Sequence, residues 1–347
     1  MIPLSRPWIT EEEINNVNEV FKSGNLSQGK QVEKFEEKTA QFLGVAKDNV
    51  IAVSSGTTAL HLCGILLSSK LEQRIIHIPA TTFISTANMI NYLDMEMDTT
   101  IHFDDIESNT WNMVPHDGYK ITVDLFGNSN QYKYLKDVLV EDAAQAFGSE
   151  YEGNKCGTFA PFGAFSFFEN KTISTGGEGG LIFAKDRRDA DMARLLRQQG
   201  KDFTMENHVH VGYNYRMTEM QAAFGVAQMN KINEIIKRKR DIHELYKAHL
   251  QDAARFQHQI GKPCPWLTCV KFNSKEKRDK IKEILDLNKV QTRLPFPPVY
   301  YNPPYNGYKT HCPVAENLYE TGLCLPNYPE LKEEEVKMIC KYIRDEI

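Results

Sequence analysis

The chain has 347 residues, of which 41% are hydrophobic and 25% are charged, and its formal net charge is -5. This length suits one large domain with a smaller one, and the acidic balance argues against a general nucleic-acid-binding protein, which needs a basic surface. No uncharged apolar run approaches the roughly 20 residues that a membrane helix needs, and the first residues lack the apolar core of a signal peptide, so we expect no membrane segment.

The predicted elements begin with two helices and continue as an alternating pattern. Thr10 and Glu13 form a capping box, and Gly24 ends this first helix. A second helix is expected over 32–42. Seven short apolar runs follow, separated by turn and helix signals, which predicts a mainly parallel sheet covered on both faces. The runs are 49–53, 75–78, 100–103, 120–126, 138–141, 164–168 and 180–184.

From about Lys231 the chain becomes rich in charged helices. A long amphipathic helix is predicted over 231–250, and its basic run Lys237–Arg240 is interpreted as a solvated face. The apolar segment 265–272, a helix over 274–288 and a closing helix over 331–347 indicate a small α/β domain. We therefore predict a large domain over 1–235 and a small C-terminal domain over 236–347.

The seven cysteines are scattered, without a CxxC pair or another metal-ligand spacing. An odd, scattered set is typical of reduced, mostly buried thiols in the cytoplasm. The sequence thus predicts a cytoplasmic protein and no metal site.

The segment "SSGTTAL", 54–60, joins the end of a predicted strand to the start of a helix. Unpaired amides and the helix dipole at Thr57 and Thr58 would face an anion there, most naturally a phosphate, and Gly56 permits a close approach. A plain capped helix start is the alternative. The segment is not a Walker motif, because no Gly-Lys-Ser/Thr follows.

Two further polar or aromatic positions follow predicted strands. Asp142 comes just after the run "VLVE", at the edge of the sheet where open α/β folds bind ligands, with Gln145 three residues later. An aspartate that only caps a helix is the alternative. Phe83 follows another strand end and could stack on a flat ring, although a core phenylalanine is the commoner case.

Lys171 lies in "SFFENKTISTGGEGG", between an aromatic pair and four glycines. Such a lysine either reaches the surface or takes part in chemistry. A phosphate-binding helix start, a carboxylate at a strand end, an aromatic plate and a lysine are together the parts of a pyridoxal phosphate site. The combination is far more specific than any of its members.

On these motifs the chain resembles the DegT/DnrJ/StrS sugar aminotransferases, which are fold-type I pyridoxal phosphate enzymes. The resemblance runs from "IPLSRPWITEEEI" to "LPNYPELKEEEV". It implies an α/β, aspartate-aminotransferase-like fold, with the mainly parallel seven-stranded sheet in the large domain and the small C-terminal α/β domain. The loop around Lys171 is most similar to that of perosamine-synthase-like members, which aminate a 4-keto-6-deoxyhexose on a nucleotide.

The resemblance assigns roles to individual positions. Lys171 matches the Schiff-base lysine, Asp142 the partner of the pyridine nitrogen, Gln145 the residue beside the ring hydroxyl and Phe83 the stacked aromatic. Thr57, Thr58 and Ser166 match phosphate contacts. Asn214 matches an asparagine that the family inserts into the neighbouring subunit's site, which implies a homodimer with shared active sites.

On the substrate side, Arg293 and Tyr300 match segments close to the sugar nucleotide. The tyrosines that follow Arg293 suit a sugar and a base, or else they pack a surface loop. The family often has histidine where Asp124 and Tyr300 stand here. Both positions are expected near the sugar nucleotide, so these departures weaken the identification of the substrate.

The resemblance implies that L-glutamate donates its amino group to C4 of a nucleotide-linked 4-keto-6-deoxyhexose. Products of the GDP-perosamine or UDP/dTDP-viosamine type are expected. A 3-aminotransferase or a 3-dehydratase on a nucleotide sugar is an alternative, although family dehydratases replace the lysine with histidine. A non-catalytic regulatory paralogue is a second alternative, which would be expected to lose Lys171 or Asp142.

Overall fold

The computed structural model describes residues 1–68, 70–71, 75–97, 99–202, 207–308 and 310–346. Within this part of the chain, nine strands form a large sheet and a hairpin. The large sheet contains β1 (Val50–Val53), β2 (Ile75–Pro79), β3 (Thr100–Asp104), β4 (Lys120–Val123), β5 (Val138–Asp142), β8 (Phe162–Ser166) and β9 (Gly180–Ala184). The hairpin contains β6 (Glu150–Tyr151) and β7 (Asn154–Lys155).

All seven predicted strands lie in the large sheet, in the order β1-β9-β8-β5-β4-β2-β3. The pairs from β8 to β3 are parallel, and β9 is antiparallel to both of its neighbours. The fourth strand is shorter than predicted, because the chain turns at Asp124 and Phe126 adopts a φ of 57° that a strand cannot contain. The mainly parallel sheet is confirmed.

Ten α-helices lie in the described residues. They are α1 (Glu11–Ser23), α2 (Lys30–Leu43), α3 (Gly56–Ser68), α4 (Ser85–Met97), α5 (Arg187–Arg197), α6 (Glu219–Asn230), α7 (Ile232–Leu250), α8 (Lys275–Leu287), α9 (Pro313–Thr321) and α10 (Glu333–Arg344). The predicted limits of α1 are confirmed by the capping box of Thr10 and Glu13 and by Gly24, whose φ is 71°. Ile347, the last residue of the predicted closing helix, lies outside the described residues.

Helices cover both faces of the large sheet. Alternate residues of β1 belong to different clusters of the core: Ile51 and Val53 to one, Val50 and Ala52 to the other. Since successive strand residues point to opposite faces, each face is buried. The first cluster also takes residues of α3, α4 and α5, and the second takes residues of α2 and α6. This arrangement leaves the carboxyl ends of the strands as the open edge.

A three-stranded antiparallel sheet forms the centre of the C-terminal part, with β11 between β10 and β12. Its strands are β10 (Arg255–Phe256), β11 (Thr268–Lys271) and β12 (Gly322–Leu325). Its core includes residues of α7, α8 and α10. Helix α7 contributes Ile235 to the large-sheet core and Ile242 to the small one, so the boundary predicted at 235/236 falls inside a continuous helix and the division stays a prediction.

The basic run on α7 is a solvated face only at Lys237, whose side chain is 74% exposed, so the interpretation was wrong for the rest of the run. Lys239 is only 1% exposed, and its Nζ donates to the carbonyl oxygens of Trp266 at 3.1 Å and Asn327 at 2.7 Å. Arg238 and Arg240 also donate to loop carbonyls. These cations donate hydrogen bonds to carbonyl groups of segments that have no regular secondary structure. The helix therefore holds the neighbouring loops in place with its charged side chains.

All seven cysteines are free and buried, as the sequence predicted. In the part of the chain that the structure describes, no helix is both long enough and apolar enough to cross a bilayer.

Candidate active site

A cavity of about 280 Å³ lies at the carboxyl ends of β1, β2, β5 and β8. The segments after these strands line it with Thr57, Phe83, Asp142, Gln145, Ser166 and Lys171, and the C-terminal part adds Trp266, Arg293 and Phe296. The edge of a parallel sheet thus brings together residues that are distant in the sequence. A larger open depression of about 650 Å³ beside Met192 lacks this set of groups.

The first residues of α3 form an anion-binding surface on the cavity wall. Gly56 and Thr57 line the cavity at the first turn of the helix, where backbone amides have no helical partner. The Thr57 hydroxyl lies 2.8 Å from Ser85 Oγ. A Cβ on Gly56 would lie 2.8 Å from Ser166 Cβ. Glycine therefore lets the turn come close to Ser166, which is also predicted to contact the phosphate. The arrangement fits a phosphate group.

Thr58 does not line this cavity, unlike Thr57. Its hydroxyl accepts from the Ser55 amide at 3.0 Å and donates to the Ser55 carbonyl at 2.8 Å, and its own amide donates to Ser55 Oγ at 3.1 Å. Thr58 therefore closes the turn that presents its neighbours. The phosphate contact predicted for Thr58 has no support in this geometry.

Asp142 is the last residue of β5 and is 4% exposed. Its Oδ2 accepts from the Thr86 hydroxyl at 2.7 Å, and its Oδ1 accepts from the Ala144 amide at 3.1 Å. Burial raises the pKa of Asp142, while these hydrogen bonds and the charge of Lys171 oppose the rise. A carboxylate that is buried, oriented and short of counter-charge is well suited to a cationic ring nitrogen.

Gln145 and Phe83 present the groups expected for a flat ring. The Phe126 amide donates to Gln145 Oε1 at 2.9 Å, which identifies the atom on that side of the amide group as the oxygen. The Nε2 group can then donate to a ligand. Phe83 lines the cavity and is 53% exposed, with one ring contact to Phe296 at 5.9 Å. An exposed phenyl ring on a cavity wall can stack on a planar ligand.

Lys171 is half-buried, and the surface it keeps opens into the cavity. Its Nζ lies 4.1 Å from the centre of the Trp266 ring. Burial lowers the pKa of Lys171 to about 8, although the charge of Asp142 acts in the opposite direction. The neutral, nucleophilic amine is therefore more populated near neutral pH than in an ordinary lysine.

Asp124 lies behind the cavity rather than in it. It is fully buried after β4, next to Asp142, whose carbonyl accepts its amide at 3.2 Å. Its Oδ1 accepts from Asn130 and Tyr132. Burial raises the pKa of both Asp124 and its neighbour Glu141. Asp124 is therefore a buried polar support, and the expectation that it lies near the sugar nucleotide has no support in this geometry.

Arg293 enters the cavity from the C-terminal part. Its guanidinium carbon lies 4.7 Å from the centre of the Phe296 ring and 5.7 Å from that of Trp266. Its Nε donates to the Leu294 carbonyl at 3.4 Å, which leaves the two terminal NH₂ groups for a ligand. A stacked guanidinium fits a carboxylate or a phosphate.

Tyr300 does not reach the cavity. It is 7% exposed, and its hydroxyl donates to Glu316 Oε1 at 2.6 Å and accepts from the Cys312 amide at 3.1 Å. Tyr305 is also buried, with its hydroxyl on Asn88. These two tyrosines pack the C-terminal part against the sheet. The substrate contact predicted for Tyr300 therefore has no support, because its hydroxyl is already used.

Asn214 lies at the surface and outside the cavity of its own chain. Its backbone pairs with Gln198 in an isolated bridge, which anchors the segment while the side chain stays exposed. A role in its own chain's cavity is thus not supported. A role in a neighbouring subunit's site stays a prediction.

Sequence reasoning missed Trp266, Phe296 and Thr86. Trp266 Nε1 donates to the Asn170 carbonyl at 2.7 Å, so the indole positions the loop that carries Lys171 while its face lies under the amine. Its segment, "PWLTCVKF", indicates only a buried strand. Thr86 lies on the first turn of α4, three residues after Phe83, and this closeness in the sequence could have indicated a shared site.

The cavity fits pyridoxal phosphate by the chemistry of its groups. It offers an anion-binding helix start, a buried carboxylate, an amide donor, an exposed aromatic face and an amine with a lowered pKa. Each of these matches a different part of that cofactor.

Comparisons with known proteins agree with this geometry. The model of the DegT/DnrJ/EryC1/StrS aminotransferase family matches residues 7–344. GDP-perosamine synthase of Escherichia coli O157:H7 is 34% identical, over 99% of this chain and 98% of that protein. The structure of Helicobacter pylori PseC, an aminotransferase involved in pseudoaminic acid biosynthesis, has a TM-score of 0.91 at 25% identity, covering 99% of this chain and 98% of that one.

A third relative confirms the fold alone. The structure of the E. coli GDP-4-keto-6-deoxy-D-mannose-3-dehydratase with bound hydrated PLP has a TM-score of 0.89 at 23% identity, covering 99% of both chains. The predicted aminotransferase fold is thereby confirmed over the whole chain.

Proposed function

Because the chain belongs to the DegT/DnrJ/EryC1/StrS aminotransferase family, we propose that it transfers an amino group from L-glutamate to C4 of a nucleotide-linked 4-keto-6-deoxyhexose. It is a pyridoxal-phosphate-dependent sugar aminotransferase. The product we propose is of the GDP-perosamine type, or else viosamine on UDP or dTDP. The observation that carries the choice of C4 is the 34% identity to a GDP-perosamine synthase along nearly all of both chains.

Pyridoxal phosphate, when bound, supplies a reactive aldehyde and a ring that withdraws electrons from the substrate. The amides of Gly56 and Thr57, with the Thr57 and Ser166 hydroxyls, would hold its phosphate. Asp142 would hold a proton on the ring nitrogen, because its two oxygens are fixed by Thr86 and Ala144 and face no cation of their own at hydrogen-bonding distance. Gln145 Nε2 would donate to the ring hydroxyl, and Phe83 would cover one face.

Lys171 has two tasks in this proposal. Its Nζ would bind the cofactor covalently, and it would then accept and return the proton that each half-reaction exchanges. An amine with a pKa of about 8 can do both near neutral pH. The Trp266 ring beneath Nζ and the hydrogen bond from its indole to Asn170 keep the lysine loop in place.

Arg293 would bind the anionic part of both substrates. L-Glutamate presents a carboxylate and the sugar nucleotide a diphosphate, and the two free NH₂ groups of Arg293 can address either. The aromatic rings of Trp266 and Phe296 on which Arg293 stacks restrict its movement. Neither substrate needs Tyr300 in this arrangement.

Lys171 and Asp142 argue against two of the alternatives, a 3-dehydratase and a regulatory paralogue. Dehydratases of this family carry histidine at the position of Lys171, and a regulatory paralogue would have no need to retain both residues. The two line one cavity, and the charge of each acts on the other. A 3-aminotransferase keeps the same cofactor groups, so only the position of the new amine distinguishes it.

The choice of acceptor is tested in the second half-reaction. Enzyme loaded with pyridoxamine phosphate is mixed with a 4-keto-6-deoxy nucleotide sugar, and the return of the aldehyde form is followed by absorbance in a stopped-flow instrument. We expect rapid conversion with the sugar nucleotide and slow conversion with pyruvate or oxaloacetate. 2-Oxoglutarate is the positive control, because it reverses the first half-reaction. Rapid conversion by pyruvate or oxaloacetate, without conversion by the sugar nucleotide, would identify a general aminotransferase.

We also propose that the active enzyme is a homodimer in which Asn214 serves the partner's site. The exposed position of Asn214 outside its own cavity supports this assembly. The cytoplasmic location stays a prediction.

Subunit complementation tests the shared site. Lys171→Ala and Asn214→Ala chains are co-expressed with different tags, and the mixed dimer population is assayed. If Asn214 acts in the partner's site, half of the random dimers are mixed and each has one intact site, so about one quarter of wild-type activity returns.

The two variants are also assayed separately, and an Asn15→Ala chain serves as a surface control that should keep full activity. If Asn214 acted within its own chain, every site in a mixed dimer would carry one lesion. Mixtures no more active than the separate variants would therefore contradict the shared site.

A further inference from the structure

Three histidines surround one aspartate at the edge of the large sheet. His77 lies on β2, His102 and Asp104 lie on the edge strand β3, and His116 lies in the segment before β4. His77 and His102 are register partners on neighbouring parallel strands, and His102 and Asp104 are two residues apart, so all three point to one face. None of the four lines the cofactor cavity.

The histidine nitrogens converge on the Asp104 carboxylate. Oδ1 lies 3.0 Å from His102 Nδ1 and 3.1 Å from His77 Nδ1, and Oδ2 lies 2.7 Å from His116 Nε2. The His77 ring centre lies 4.7 Å from that of His102 and 4.3 Å from that of His116. The ligating atoms of His77, Asp104 and His116 all lie within 4.8 Å of one another.

His116 leaves one buried nitrogen of the cluster without a hydrogen bond. Its Nδ1 lies 2.7 Å from the Asp117 carbonyl oxygen, which can only accept, so Nδ1 carries the hydrogen. The lone pair of a neutral ring is then on Nε2. This atom is buried and makes no hydrogen bond within the described residues, although an Asp104 oxygen lies 2.7 Å away. A proton on Nε2 or a metal ion bound by both atoms would remove the repulsion between them, and the calorimetric test below distinguishes the two.

We propose that His77, Asp104 and His116 bind one divalent transition-metal ion of the zinc class. Imidazole nitrogens with one carboxylate are ligands that suit Zn²⁺, Co²⁺ and Ni²⁺. The hydrogen bond of His116 Nδ1 to a backbone carbonyl is the outer contact that orients a metal-ligating histidine. The His102 side chain is 59% exposed, so an ion can enter from solvent.

Other groups of possible metal ligands in the described residues are less suited to bind an ion. All seven cysteines are buried, which removes exposed thiols as ligands. Asp124, Glu141 and Cys156 also lie close together, but both Glu141 oxygens already accept the backbone amides of Gly157 and Phe159. The bound ion would join β2, β3 and the segment before β4, so it would stabilise the folded chain rather than the unfolded one.

The test uses the full-length enzyme with its cofactor, purified without a polyhistidine tag and freed of metal with a chelator. Zn²⁺ is titrated calorimetrically, Co²⁺ binding is followed by its visible absorption, and the melting temperature is measured with and without Zn²⁺. His116→Gln and Asp104→Asn are the test variants. His208→Gln, at an exposed histidine outside the cluster, is the matched control.

We expect one Zn²⁺ per chain, a higher melting temperature with Zn²⁺, and an affinity at least about tenfold lower in either test variant. The His208→Gln enzyme should bind as the wild type does. Failure of the wild type to bind one ion per chain would overturn the proposal and leave His116 as a protonated partner of Asp104. Unchanged affinity in folded His116→Gln enzyme would overturn it equally, even if Asp104→Asn does not fold.

Discussion

Replacing Lys171 with alanine is expected to lower kcat by at least about 10³-fold while the fold persists. The substitution removes both the covalent attachment of the cofactor and the group that moves the proton, and no second amine is among the residues that line the cavity. The fold should tolerate the change, because Lys171 makes no ion pair in the described structure and lies against one face of Trp266.

The measurement combines a steady-state assay with borohydride trapping of the cofactor. Wild-type enzyme should retain the cofactor after reduction and denaturation, and the Lys171→Ala enzyme should lose it. Lys185→Ala, at an exposed lysine just after β9, is the matched control and should behave as the wild type does. Trapped cofactor together with normal turnover in Lys171→Ala enzyme would show that another residue has this role.

Replacing Asp142 with asparagine is expected to slow both half-reactions by about 10²- to 10³-fold. The amide keeps an oxygen for the Ala144 amide, and the Thr86 hydroxyl can turn to accept from its nitrogen, so the local packing should hold. A neutral amide cannot hold a proton on the ring nitrogen, and the ring then withdraws electrons poorly. The loss should lower kcat and kcat/KM together.

Single-turnover absorbance measurements with L-glutamate and with the sugar nucleotide report the two half-reactions separately. Asp241→Asn, in a surface pair with Lys237, is the matched control. The Asp142→Asn enzyme should still bind the cofactor through the helix start and Lys171. Unchanged rates in both half-reactions would refute the role given to Asp142.

Local patterns were sufficient to predict the sheet and most of the cofactor pocket. Each strand is a short apolar run, and the residues that follow β1, β2, β5 and β8 meet because parallel strands end at one edge. For this reason Asp142, Gln145, Phe83 and Lys171 lie together as expected. Thr58 does not line the cavity with them. Its hydroxyl bonds to the Ser55 backbone, because a hydroxyl at a helix start can close its own turn as readily as it binds a ligand.

Local sequence patterns could not predict the contacts that a side chain makes with other segments of the chain. The family resemblance implied that Tyr300 and Asp124 lie near the substrate, but in the structure Tyr300 donates to Glu316 and Asp124 accepts from Asn130. Lys239 looks solvated on a helical wheel, yet two loops from elsewhere in the chain enclose it. The cluster around Asp104 draws its histidines from three segments, so the expectation of no metal site rested on cysteine spacing alone.

The position of the new amine tests the proposed reaction most directly. The enzyme is incubated with L-glutamate and, in turn, the GDP-, dTDP- and UDP-linked 4-keto-6-deoxyhexoses, and the product is analysed by mass spectrometry and NMR. We predict a 4-amino-4,6-dideoxyhexose with the nucleotide still attached. An amine on C3, loss of the C3 hydroxyl, or no nitrogen in any sugar product would contradict the proposal.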